Sequence, residues 1–200
     1  MKRILCAAAL FLALSGSASA QRHFTGTVEW GGGITLARYH SYNYVLDSGY
    51  RMIGKDFSSG GHVNGFTLAG IGMDLGKRLN TTVLSGYEGV DHRFRVYPIL
   101  VRLTSFREGP DREGWMGYAE AGIGLQELSH IAALLGRFGV GYRFPLTRHT
   151  AVDLTTALRL SKKKPDLFDP DSIQPIPAGR IAWNNQYSSM LSVSLSLSFR

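Results

Sequence analysis

The chain ends in a stretch in which apolar and polar residues alternate. From Leu191 to Phe199 every second residue is apolar, and the residues between them are all serine. Successive side chains of a β-strand point to opposite faces, so this alternation predicts a strand with one apolar and one polar face. Soluble sandwiches and membrane barrels both contain such strands, and the rest of the chain must decide between them.

The same period of two recurs along the chain and predicts seven earlier strands. They lie in the segments GTVEWGGGITLAR, VNGFTLAGIGMDLG, NTTVLSGYEG, RFRVYPILVRLTSF, GWMGYAEAGIGL, LLGRFGVGYRF and AVDLTTALRL. With the serine-rich ending this makes eight strands. We predict no helix after the N-terminal segment.

The connections between these strands alternate in length. Tight turns follow the second, fourth and sixth strands, in KRLN, REGPDRE and PLTR, whereas long loops are predicted over residues 39–62 and 161–187. The loops after the third and fifth strands, near EGVDH and QELSHIA, are short. Tight turns at one end and longer loops at the other are typical of outer-membrane barrels. The fold class predicted is therefore all-β, an eight-stranded antiparallel up-and-down transmembrane β-barrel with both termini at the turn end.

The alternation also assigns the two faces of this barrel. If the apolar residues face lipid, four acids and four bases face inward with many glycines: Glu29, Asp74, Arg102, Glu120, Arg137, Arg143, Asp153 and Arg159. Glycine is costly inside a strand, and a narrow, strongly curved barrel gives these glycines a purpose. Six aromatic residues could form the belts at the membrane surfaces: Trp30, Trp115, Tyr97, Tyr142, Phe144 and Phe199. The alternative is that they are core aromatics of a soluble β-domain.

The first twenty residues have the pattern of a secretory signal peptide. Lys2 and Arg3 precede an apolar run from Ile4 to Leu14, and the small residues end in an A-x-A pattern at Ala20. The apolar run is too short to span a membrane as a helix, which needs about 20 residues. We therefore predict residues 1–20 as a cleaved signal peptide and residues 21–200 as one outer-membrane barrel domain.

Composition narrows the chemistry of this exported domain. The single cysteine, Cys6, lies in the signal peptide, so the mature chain has no thiol or disulfide. Removal of Lys2 and Arg3 leaves 20 basic and 15 acidic residues, a formal charge of +5. These charges are scattered rather than clustered, which argues against nucleic-acid binding and makes outer-membrane lipids the expected partner. We expect a monomer.

Four segments carry a resemblance to a known family. FTLAGIGMDLGKRLNTTVLSGYEGV, RVYPILVRLTSF, GYAEAGIGL and GRFGVGYRFPL resemble the outer-membrane protein β-barrel domain family, small eight-stranded, OmpA-like barrels of Gram-negative bacteria. The resemblance implies location in the cell outer membrane and insertion by the barrel-assembly machinery. Family members commonly end on an aromatic residue, whereas here Phe199 is penultimate and Arg200 is last.

Catalytic and metal chemistry find little support in the sequence. His40 with Ser41, His62, His92, and Ser129 with His130 lie near predicted loop ends, where some small barrels modify lipid A. Covalent catalysis needs a base within hydrogen-bond reach of a nucleophile, which adjacency does not establish. The acidic loop with Asp166, Asp169 and Asp171 lacks the glycine and glutamate of a good calcium loop. We assign no catalytic, cofactor-binding or metal-binding residue and predict no cofactor.

Three functional hypotheses remain open. The first is a structural or interaction protein whose long loops display five tyrosines: Tyr39, Tyr42, Tyr44, Tyr50 and Tyr187. The alternative for this cluster is an aromatic belt that extends above the membrane. The second hypothesis is a narrow, porin-like conduit, and the third is a lipid-modifying enzyme similar to a lipid A deacylase.

Overall fold

The computed structural model describes residues 23–91, 94–126, 130–170 and 173–200, and the predicted signal peptide lies outside them. Nine strands make up almost all of its regular structure: β1 Phe24–Val45, β2 Arg51–Ser59, β3 Val63–Asp74, β4 Leu79–Asp91, β5 Phe94–Phe106, β6 Gly114–Gln126, β7 His130–Pro145, β8 Thr150–Lys163 and β9 Ile181–Phe199. One 3₁₀ turn, Ala178–Arg180, precedes β9. None of the described residues forms a helix that is long and apolar enough to cross a membrane.

The sheet closes on itself. Strands β3 to β9 pair in sequence order, every pair is antiparallel, and β1 pairs with both β3 and β9. The β1–β9 seam extends from the pair Gly26 and Phe199 to the pair Tyr44 and Ile181. The predicted eight-stranded antiparallel barrel is confirmed.

Two of the nine strands, β2 and β3, share one position in the barrel wall. β3 pairs with the first half of β1, from Phe24 to Ile34, and β2 pairs with the second half, from Ala37 to Val45. The strand is interrupted between β2 and β3 at Gly60 and Gly61. The φ of Gly61 is +110°, a value that glycine adopts easily. β2 and β3 therefore lie end to end beside β1 and take one position together, so the barrel wall has eight strand positions.

The prediction of a long loop over residues 39–62 is wrong, because most of these residues belong to a β-hairpin. β1 continues to Val45, a short turn follows, and β2 returns along it. The loop predicted over 161–187 is shorter than expected, because β8 extends to Lys163 and β9 begins at Ile181. The residues of these extensions include many polar side chains on both faces, so their sequences lack the clear apolar and polar alternation that marked the other strands.

The opposite end carries the start of β1, the last residue Arg200 and the tight turns, as predicted. Leu75 N–H donates to Leu79 O at 2.9 Å in the turn between β3 and β4, and Leu146 N–H donates to Thr150 O at 2.9 Å in the turn between β7 and β8. We call this the turn end. The end with residues 46–50 and 164–180 is the loop end, which faces the outside in barrels of this kind.

The eight predicted inward-facing charged residues are all buried inside the barrel, with side chains at most 8% exposed. The apolar residues that alternate with them are mostly exposed on the outer surface, as a lipid-facing wall requires. The interior also has an apolar side, which the charge count did not anticipate. Its main members are Phe66, Leu68, Leu84, Val90, Val96, Leu100, Ala133 and Leu135.

Two groups of aromatic side chains lie on the outer surface near the barrel ends. Near the loop end, Tyr87 and Tyr97 meet edge to face with ring centroids 5.6 Å apart. Near the turn end, Trp115 and Tyr142 do the same at 5.5 Å, and Phe144 follows at 4.9 Å from Tyr142. Aromatic belts at these two levels are typical of membrane-spanning barrels.

Candidate functional site

A layer of six charged side chains fills the barrel at mid-height. Three carboxylates and three guanidinium groups come from six different strands: Glu29, Glu88, Arg102, Glu120, Arg137 and Arg159. None is more than 5% exposed. Since their formal charges cancel, this layer is neutral as a unit. We call it the ion-pair layer.

Arg137 lies at the centre of this layer. Its guanidinium reaches Glu88 at 3.1 Å, Glu29 at 3.2 Å and Glu120 at 3.4 Å. Arg102 binds both Glu29 and Glu120, and its Nε donates to Glu120 Oε1 at 2.5 Å. Each carboxylate thus contacts at least one cation, which is what a buried charge needs to be tolerated.

The third cation completes the layer on the β4 side. Arg159 binds Glu88 and donates to the Gly89 carbonyl oxygen at 2.5 Å. On the opposite side, the Ser194 hydroxyl donates to Glu29 Oε1 at 2.8 Å. One serine of the alternating ending therefore solvates a buried carboxylate.

Aromatic rings cover two of the cations. The Phe66 ring lies 4.5 Å from the Arg137 guanidinium carbon, and the Tyr118 ring lies 4.5 Å from that of Arg102. Each ring lies opposite a glycine on the neighbouring strand, Gly31 or Gly139. A Cβ on either glycine would come within 2.7 Å of its ring. The glycines leave the room that the rings occupy.

A second charged group lies towards the turn end. Arg143 donates to Asp153 through two bonds of 2.7 and 2.6 Å, and the Phe106 ring lies 4.4 Å from its guanidinium carbon. The C-terminal Arg200 turns into this mouth of the barrel and binds Asp74 and Asp111. The cavity between this group and the ion-pair layer measures about 20 Å³, room for roughly one water molecule.

At the loop end, the β1–β2 hairpin packs against described residues of the segment that precedes β9, and together they form a small core of their own. Tyr44, Leu46 and Ile176 are its buried members. Asp47 N–H donates to Asp169 Oδ2 at 3.1 Å, and Arg180 forms an ion pair with Asp47. Burial raises the pKa of Tyr44, with smaller contributions from Tyr42 and Asp169. The contacts fix the loop against the hairpin.

The five tyrosines predicted on the long loops do not form one surface. Tyr42 and Tyr44 belong to the small core, their rings 5.6 Å apart. Tyr39 and Tyr187 lie on the outer wall with centroids 6.5 Å apart, and Tyr50 is 73% exposed at the hairpin turn. Their separation follows from the period of two, because β1 extends through this region and sends alternate residues to opposite faces.

The candidate histidine and serine pairs are not arranged as catalytic dyads where the structure describes them. His40 Nε2 lies 2.7 Å from Asn184 Oδ1, whereas the Ser41 hydroxyl accepts from Trp183 Nε1 at 3.3 Å. As neighbours on a strand, His40 and Ser41 point to opposite faces. His62 lies just before β3.

The remaining candidates are placed only in part. His130 begins β7, whereas His92 and Ser129 fall outside the described residues. In the acidic loop, Asp166 is exposed and Asp169 is buried against the hairpin, and Asp171 is not among the described residues. In the described part of the chain, no three His, Cys, Asp or Glu side chains are grouped to hold a metal ion.

A closed antiparallel barrel with an apolar wall, aromatic belts and a charged interior is a transmembrane β-barrel of the outer-membrane type, and the outer membrane is where such barrels occur. Among solved structures, the chain is similar to the outer membrane protein OprG from Pseudomonas aeruginosa, with 10% identity, a TM-score of 0.42, and coverage of 89% of this chain and 98% of that one. It is also similar to the outer membrane protease OmpT from Escherichia coli, with 10% identity, a TM-score of 0.39, and coverage of 92% and 100%. No protein-family model matches the chain, and no curated protein matches it in sequence.

Sequence reasoning placed most of the ion-pair layer but missed Glu88. This residue follows Tyr87 in the third, short predicted strand, whose faces we left unassigned. Alternation from Val83 and Tyr87 on the outer wall would have placed Glu88 inside. The sequence of β2 shows no such alternation. Every residue in this strand is at least partly exposed, so no buried face imposes one.

Proposed function

We propose that the protein is a non-conducting outer-membrane barrel that acts through contact at the cell surface. The observation that carries this proposal is the contrast between a barrel filled by the ion-pair layer and a β1–β2 hairpin with an open sheet edge. The first fills the middle of the barrel with paired side chains, which supports a barrel that does not conduct. The second offers a surface on which a partner could pair.

The filled interior argues against a porin-like role. Eight strands leave an interior only wide enough for side chains, and here Arg137 joins carboxylates from three strands across it. A solute would have to separate these buried pairs. Removing one partner of such a pair typically costs about 3–5 kcal/mol.

The open edge supports the interaction role. In the described part of the chain, β2 has β1 as its one strand partner, and its other edge carries unpaired backbone groups. Tyr50 and Ile53 are more than 60% exposed along or beside it. An extended peptide can add to such an edge, with backbone bonds giving affinity and alternate side chains giving specificity.

The small core at the loop end supports the same role by holding the hairpin in place. Tyr44, Leu46 and Ile176 pack the hairpin against residues 164–180. A surface ordered before binding loses less entropy when a partner arrives. The expected partner is an extended polypeptide segment with alternating apolar side chains.

A peptide selection tests the proposal. The mature chain, refolded in detergent, is used to select from a phage-displayed library of ten-residue peptides. We expect enrichment of alternating apolar sequences whose binding falls at least tenfold in Ile53→Lys. The matched control is Ile71→Lys on β3, which is 72% exposed against 64% for Ile53 but lies on the lipid-facing wall.

Each outcome of the selection decides one part of the proposal. Peptides that bind both variants equally well would place the contact away from β2 and overturn the edge as its site. If no sequence is enriched and ions pass through the wild-type barrel, the interaction role is overturned in favour of a conduit.

A further inference from the structure

A groove of about 410 Å³ lies on the outer wall of the barrel near the loop end, across strands β7, β8, β9, β1 and β2. Its floor contains three small residues: Ala37 and Ser189, which pair across β1 and β9, and Gly136 on β7, with Leu160 of β8 between Ser189 and Gly136. Larger side chains stand around this floor: Leu134, Tyr187, Tyr39 and Phe57. The volume falls within the roughly 300–1,000 Å³ that is usual for small-molecule sites.

The position of the groove has a structural cause. The outside of a closed barrel is convex, so a groove across five strands needs a local change of curvature. The register of β1 shifts between Thr35 and Ala37, next to the break between β2 and β3. Gly60 N–H donates to Leu36 O at 2.9 Å and Gly61 N–H to Thr35 O at 3.2 Å, which anchors the break to this irregularity. Bulges bend a strand in this way.

The groove lies near the loop-end border of the apolar wall, where polar side chains begin to mix with apolar ones. Towards the turn end, the outward residues of β8 and β9 are Leu158, Leu191 and Val193. Towards the loop end, Lys55 and Ser41 occupy paired positions on β2 and β1. This is the level at which a lipid of the outer leaflet has its acyl chains on one side and its headgroup on the other.

One cation stands at the polar rim of the groove. The Lys162 ammonium lies 5.4 Å from the centre of the Tyr187 ring. No carboxylate among the described residues forms an ion pair with it. An ammonium that rests on an aromatic ring at the headgroup level is well placed to meet a lipid phosphate.

We propose that this groove binds the phosphorylated glycolipid of the outer leaflet. One acyl chain lies over Ala37 and Ser189, beside Leu160 and Tyr187, and a phosphate meets the Lys162 ammonium. The two small residues leave the depth that the acyl chain occupies. The groove faces lipid rather than the extracellular space, so this site is distinct from the β2 edge.

Native mass spectrometry of the full mature chain tests this site. The probes are bisphosphorylated lipid A, the same lipid without its phosphates, and phosphatidylglycerol. We expect the wild type to retain one bisphosphorylated lipid A, with at least tenfold preference over each of the other two. Ala37→Trp should lose this retention, and Lys162→Gln should bind both forms of lipid A equally.

Two matched variants control for general effects. Ala119→Trp adds the same ring to an exposed position of β6, and Lys77→Gln removes a lysine from an exposed turn at the turn end. Both should bind as the wild type does, and a heat-dependent gel shift shows that each variant is folded. Retention of lipid A by Ala37→Trp, equal binding of phosphatidylglycerol, or no preference for the phosphorylated form in the wild type would each overturn the proposal.

Discussion

The middle of the barrel and its loop end satisfy their polar groups in different ways. At mid-height the sheet is closed, and Arg137 joins three carboxylates that lie on different strands. At the loop end the sheet has an open edge at β2, and its Arg180–Asp47 ion pair is half-exposed. A closed sheet encloses its charges and must pair them, whereas an extended hairpin can leave both its edge and its charges to water. The same chain thus encloses paired charges where the sheet is closed and leaves a strand edge and an ion pair exposed to water at the loop end.

The largest effect should come from the centre of the ion-pair layer. Arg137→Met leaves Glu29, Glu88 and Glu120 with fewer cations in a buried site, so we expect a loss of about 3–5 kcal/mol in the free energy of unfolding. Urea titration of the refolded protein in lipid vesicles, followed by tryptophan fluorescence, measures this loss. Arg78→Met, in an exposed turn, is the control. A loss below 1 kcal/mol would show that the layer is not needed to hold the barrel together.

A smaller and local effect is expected in the loop-end core. Ile176→Ala removes packing against Tyr44 and Leu46, and we expect residues 164–180 to open more easily by about 2 kcal/mol. Limited proteolysis should then cut this segment roughly 30-fold faster. The urea midpoint of the barrel should stay unchanged. A lowered midpoint would mean that the two regions unfold as one unit.

The C-terminal residue should have an intermediate role at the turn end. Arg200→Ala removes ion pairs with the buried Asp74 and the exposed Asp111. We expect a loss of about 1.5 kcal/mol by the same urea titration, since charged hydrogen bonds contribute about that much. Arg200→Lys keeps the charge and should recover part of the loss. If both variants unfold like the wild type, the contacts at this mouth contribute nothing to stability.

The smallest effect is expected at the half-exposed ion pair of the loop end. Arg180→Ala should cost about 0.2–1 kcal/mol of local stability, because solvent screens the pair. The cost should shrink further in 0.5 M salt, where the screening length is only a few ångströms. Hydrogen exchange of residues 164–180 at low and high salt measures it. A cost above 2 kcal/mol would contradict the contrast with Arg137.

The sequence predicted the barrel because its alternation reports two different environments. Residues such as Glu29 and Arg102 lie between outward-facing apolar neighbours, and the period of two alone sends them inside. Which charges meet could not be predicted, since Arg102 and Glu29 are 73 positions apart and touch only because of the strand register and barrel closure. β2 escaped notice because it has no buried face. The groove was equally hidden, because it depends on a local change of curvature and not on a run of residues.

The central claim is that the ion-pair layer closes the barrel, and ion conductance tests it most directly. The refolded mature chain is inserted into a planar lipid bilayer, and the heat-dependent gel shift verifies that the inserted material is folded. We expect no stable current steps from the wild type. Reproducible steps from the folded wild-type protein would contradict the claim and would assign it a conducting role.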